Sequence, residues 1–280
     1  MSHPFAATAK TDPAGRRRWL NWLGAALIVG TYVYLIATQP AEVAGGFGNP
    51  AGLVTLLGFL GGAVLLLVAT LPALPTSTVV LLPVALALNV VVGQIVGTVG
   101  LPLYLDSIGT VLVAVLAGPA AGAATGALSN IVWALFNPTV LPFAAGAALI
   151  GFLAGWAARL GVFRRFYLAP IVGAVVGVFS GTIAAPIATF VFGGTSGIGT
   201  GAIVSAFRAM GDTLLAATTK QGLLSDPLDK AIVFAIVVFL VYALPPRIRT
   251  RFDFVRRYRV LAGRRSEETA RPAKTGATQG

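Results

Sequence analysis

The chain predicts an all-α fold, a polytopic membrane helical bundle of about eight transmembrane helices. Three observations carry this. Hydrophobic residues make up 56% of the 280 positions and charged residues 10%, with a mean hydropathy of +0.86, too little polar surface to solvate a globule of this size. Apolar runs recur along the chain with basic clusters between them. Small residues repeat every four positions within those runs, the pattern that lets helices approach closely in lipid.

The runs fall at Trp19 to Thr38, Ala51 to Leu71, Thr78 to Val99, Leu103 to Ala117, Pro119 to Phe136, Leu141 to Ala158, Leu168 to Phe192 and Ala231 to Leu244. The first follows Arg16 to Arg18 without a convincing small-residue cleavage site, so it reads as a retained anchor. The fourth is about 15 residues, roughly 22 Å as a helix, so its outer end is expected to be irregular. Gly118-Pro119 then makes a tight hairpin, glycine ending one helix and proline opening the next.

Charge sets the expected threading. Basic clusters lie at Lys10 with Arg16 to Arg18, at Arg159 with Arg164 and Arg165, and from Arg247 to Arg265. Eight spans place all three, and both termini, in the cytoplasm of a plasma-membrane protein. The net charge of +11 is then a topology signal, and nucleic acid is not an expected partner. Arg208, Lys220 and Lys230 fall outside.

Four-residue ladders run through Gly118, Gly122, Gly126 and Asn130, through Ala85, Asn89, Gly93 and Gly97, through Ala147, Gly151 and Gly155, and through Gly173, Gly177 and Gly181. They predict a dense bundle. Asp106 is the one carboxylate set in an apolar stretch, LPLYLDSIGT, and is a candidate site residue or a helix cap. Asn130, Trp133 and Asn137 lie toward the same outer side. A helix is expected over Gly201 to Thr219, with Arg208 and Asp212 as an i, i+4 pair on a lid or interfacial segment. Asp226-Pro227 reads as a turn, and Asp229-Lys230 as the outer cap of the last span.

Other chemistry has less support. Cysteine is absent and His3 is the lone histidine, so no metal and no cofactor are expected. No Gly-rich loop ends in Gly-Lys-Ser or Gly-Lys-Thr, so the chain is not expected to be an ATPase. No nucleophile motif favours a membrane enzyme.

The segments LPLYLDSIGT, AGPAAGAATGALSN, NPTVLPFAAGAALIGFLAG and SDPLDKAIVFAIVVFLVYALPPRI together resemble the substrate-binding S components of energy-coupling factor (ECF) transporters. The resemblance covers roughly Thr78 to Arg251. It implies a six-helix core over 78–250, two added helices over 19–77, a basic N-terminal tail over 1–18 and a basic tail over 251–280 expected to be disordered. It also implies capture of a vitamin-like solute from outside, with transport driven by a membrane coupling (T) subunit and two ATPase subunits. Substrate-binding candidates are Asp106, Asn130, Trp133, Asn137, Arg208 and Asp212. Ala85, Asn89 and Gly93 would meet the coupling subunit, although Asn89 stands where the family's Ala-x-x-x-Ala surface has its second alanine. A membrane sensor module and a stand-alone secondary transporter are the alternatives.

Overall fold

The computed structural model describes residues 13–74, 76–194 and 197–261. Expectations for 1–12 and 262–280 lie outside the described residues. Among those described, every regular element is helical. The long helices are α1 (Pro13–Thr38), α2 (Pro50–Thr70), α3 (Thr76–Val99), α4 (Ile108–Ala117), α5 (Pro119–Ala134), α6 (Ala144–Arg159) and α7 (Leu168–Phe190). They are followed by α8 (Ile198–Ala209), α9 (Leu214–Ala243), α10 (Pro246–Arg249) and α11 (Asp253–Tyr258). Five helical stretches are long and apolar enough to cross a membrane: Gly15–Thr38, Pro50–Thr70, Val79–Val99, Pro138–Arg159 and Leu168–Phe190. Their outward faces carry exposed Val33, Leu57, Val84, Ile95 and Phe179, as a lipid-facing surface requires. The molecule is a helical membrane-protein bundle.

Lipid supplies no hydrophobic drive between helices, so close backbone contact has to hold them. The glycine ladders provide it. On α5 and α6, a Cβ at Gly126 would lie 2.1 Å from the Ala147 carbonyl oxygen, and one at Gly151 would lie 2.1 Å from that of Gly122. On α7, a Cβ at Gly173 would meet the Lys230 carbonyl oxygen at 2.4 Å and one at Gly177 that of Asp226 at 2.3 Å. The Gly173 ladder thus packs on the stretch of α9 that carries its charges. Gly118, at φ +96°, ends α4 and leads directly into Pro119 at the start of α5.

Two regions depart from the sequence expectation. The helix expected over Gly201 to Thr219 is broken at Gly211, φ +96°, so α8 ends at Ala209 and α9 begins at Leu214. From there α9 runs 30 residues through Pro227 without a turn, and the anticipated outer cap lies in its middle. The start of the C-terminal tail is also ordered. Phe252, Val255 and Val260 are buried in the core, and the Arg164 guanidinium donates to the Tyr258 carbonyl at 2.8 Å.

The α1–α2 hairpin lies against the rest of the bundle. Helix α2 packs on α5, and α1 touches α6 and α7. The Tyr32 hydroxyl donates to the Ile183 carbonyl at 2.9 Å, which brings the hairpin to the wall of the central cavity.

Candidate functional site

A cavity of about 340 Å³ opens among α3, α5, α6, α7, α9 and the irregular segment between α3 and α4, with the first turn of α8 on its rim. Its size falls in the range of small-molecule sites. Apolar and aromatic walls come from Tyr32, Trp133, Phe143, Ile150 and Ile183, and charge from Asp106, Asp226 and Lys230.

The segment from Leu101 to Ser107 is held by α9. The Asp229 carboxylate, fully buried, accepts from the backbone N–H of Tyr104 at 2.8 Å and of Leu105 at 2.7 Å through one oxygen. Its other oxygen accepts from Lys230. Leu105 sits at φ +49°, a conformation that costs a side-chain-bearing residue about 1–3 kcal/mol. The two charge-assisted bonds offset that strain and turn the next residue, Asp106, into the cavity. Lys230 then donates to Asp106 at 3.3 Å. The Lys230 side chain is 3% exposed and that of Asp106 27%, so the ammonium is locked between two carboxylates while Asp106 keeps a free edge.

Asp226, one turn before Lys230 on α9, is buried and faces the same cavity. It makes no ion pair within 4.0 Å among the described residues. Ser107 is 2% exposed and its hydroxyl has no hydrogen-bond partner, although it stands at the N-cap of α4.

The structure sorts the sequence candidates. Asp106, Trp133 and Asn137 line the cavity. Trp133 donates from Nε1 to the Gln94 side-chain oxygen at 3.1 Å, and its ring lies on Gly93, where a Cβ would come within 2.7 Å. Asn137 accepts from the Thr139 hydroxyl at 2.6 Å. Asn130 is buried behind the wall and donates to the Val140 carbonyl at 2.9 Å, shaping the loop instead of facing the cavity. Arg208 and Asp212 lie away from it. With the helix broken at Gly211, Arg208 donates to the Asp212 backbone carbonyl at 2.8 Å, and the Asp212 carboxylate pairs with Lys220 at 2.7 Å.

Ala85, Asn89 and Gly93 are corrected from a partner surface to an internal seam. All three are buried. Ala85 meets Gly109, whose Cβ would lie 2.1 Å from the Ala85 carbonyl oxygen. Asn89 donates to the Thr110 and Ser129 hydroxyls, each at 2.8 Å, and accepts from the Gly109 N–H at 2.7 Å. An amide this fully bonded ties α3, α4 and α5 together.

The residues missed from sequence are Asp226, Asp229 and Lys230. One signal was present: three ionisable groups within five positions beside an apolar run are costly at membrane depth and usually functional.

The arrangement suits binding of a small polar-headed solute between apolar walls, and no metal-holding cluster of His, Cys, Asp or Glu occurs among the described residues. The chain matches no protein-family model, no curated protein and no solved structure. The class defined by fold and site is a helical membrane protein with an apolar-walled cavity carrying charged groups inside its bundle.

Proposed function

We propose that this chain is the substrate-specific membrane subunit of an ECF-type importer of a vitamin-like micronutrient. The observation that carries the reading is the cavity itself, in which Asp106 and Lys230 face a chamber with Trp133 in its wall. The resemblance of the 78–251 region to S components supports it. In this reading the plasma membrane holds the chain with both termini cytoplasmic, and the cavity takes its solute from the outer side under α8. The α1–α2 hairpin, beyond the six-helix core, buttresses the wall through Tyr32. A T subunit and two ATPase subunits drive release inside. With Ala85, Asn89 and Gly93 buried, the coupling contact falls instead on outward apolar faces such as that of Val84, Val91 and Ile95 on α3.

Affinity purification from the native membrane in mild detergent, with mass spectrometry of every co-purifying protein, tests this. Recovery of a membrane subunit with paired ATPases is expected. Recovery of the chain alone, repeated under crosslinking, overturns the reading in favour of a solitary transporter.

A further inference from the structure

The carboxyl groups around the cavity outnumber its ammonium. Asp106, Asp226 and Asp229 meet a single ammonium, Lys230, among the described residues of this cluster. Asp229 is fully occupied by two backbone N–H groups and Lys230. Two carboxylates therefore face the cavity with one shared, already bonded cation. A buried carboxylate without an ion-pair partner is expensive and is relieved either by a proton or by a cation; a positive charge placed between Asp106 and Asp226 supplies the second. An anionic solute would have to displace a carboxylate from Lys230 and add to the excess.

Two further observations point the same way. Trp133, the side chain with the strongest cation–π face, forms part of the wall. Ser107, also in the wall, has a buried hydroxyl with no partner, and after a rotamer change it can accept an N–H.

We propose that the cavity selects a small, flat organic cation carrying N–H donors, such as a protonated amino-heterocycle or amidine, with its charge between Asp106 and Asp226 and its ring against Trp133. This assignment rests on the solute-binding reading above and names the class of solute.

Three shape-matched probes separate charge from size: benzamidinium, benzamide and benzoate, each offered to the purified full-length chain in mild detergent. Thermal stabilisation and tryptophan emission are the readouts. Benzamidinium stabilises the chain, benzamide binds about tenfold or more weakly, as expected for loss of a charge-assisted contact, and benzoate gives no response. Asp106→Asn abolishes the preference for benzamidinium over benzamide, whereas Asp212→Asn, whose carboxylate is paired outside the cavity, retains it. An equal or stronger response to benzoate, no response to benzamidinium at millimolar concentration, or an unchanged preference in a folded Asp106→Asn variant overturns the proposal. The outcome is separable from the transport reading. Anion preference with co-purifying ATPases removes the charge class alone, and cation preference without any partner removes the importer assignment alone.

Discussion

The Asp229 carboxylate accepts the Leu105 amide at 2.7 Å, and through that bond a helix late in the chain fixes the conformation of a loop 124 residues earlier. Leu105 is held in the left-handed region at φ +49°, and Asp106 is aimed as a result. Asp229→Ala removes both amide bonds and one of the two counter-charges of Lys230. The expected loss is about 3–5 kcal/mol, that of breaking a buried pair, whereas Asp229→Asn keeps an acceptor for the amides and loses less. Chemical denaturation in mixed micelles gives the order. Equal losses would mean that the charge on Asp229, and not its geometry, is what matters.

Lys230 and Asp106 belong to the same pair but differ in exposure, 3% against 27% for their side chains. Lys230→Met leaves Asp229 buried without a counter-charge, so about 3–5 kcal/mol should be lost. Asp106→Asn keeps a hydrogen-bonding group at a partly hydrated position and should lose about 1 kcal/mol. The same denaturation experiment checks both, and a larger loss for Asp106→Asn would contradict the assignment of Lys230 as the buried centre.

Backbone contact between α7 and α9 predicts a third result. A Cβ at Gly177 would lie 2.3 Å from the Asp226 carbonyl oxygen and 2.5 Å from the Pro227 Cα, both backbone atoms that cannot rotate aside. Gly177→Ala should therefore separate the helices and lose about 1–3 kcal/mol. Gly30→Ala, on α1 with nothing within 4 Å of the new Cβ, should instead be neutral or gain up to about 1 kcal/mol of helix propensity. Thermal unfolding of the two variants side by side is sufficient.

The outline of the bundle was legible because apolar length and small-residue spacing act locally. The expected run from Leu168 to Phe192 became α7 (Leu168–Phe190), and the Gly173 ladder met a partner helix as its spacing predicts. What could not be read was the partner of each charge. Asp226, Pro227, Asp229 and Lys230 read as a turn and an outer cap because charge and proline usually end a span. They lie inside α9 because Tyr104, Leu105 and Asp106 satisfy Asp229 and Lys230 from far away in sequence. Arg208 and Asp212 failed for a local reason: Gly211 breaks the helical phase that an i, i+4 pair needs. Asn89 failed because a small-residue face looks alike whether it meets a partner or the chain's own helices.

Asn89 supplies a fourth test. Asn89→Leu removes three hydrogen bonds and leaves the Gly109 N–H facing an apolar group, with an expected loss of about 1–3 kcal/mol for the orphaned donor. Stability and any partner binding should fall together, as for an internal strut. A fully stable variant that loses only its co-purifying subunits would restore Asn89 to an interface.

The cavity makes an optical prediction. Of the four tryptophans, Trp19, Trp22 and Trp156 are exposed on the outside of the bundle, and Trp133 alone lines the cavity. A solute seated there should change the emission of the native chain through Trp133. Trp133→Phe keeps an aromatic wall, loses the bond to Gln94 and weakens a cation–π contact of about 0.5–2 kcal/mol. The emission change on adding benzamidinium should therefore vanish in Trp133→Phe, while thermal stabilisation persists at reduced affinity. Emission that still responds in the variant would place the bound probe on the outer surface, against Trp19, Trp22 or Trp156, and not in the cavity.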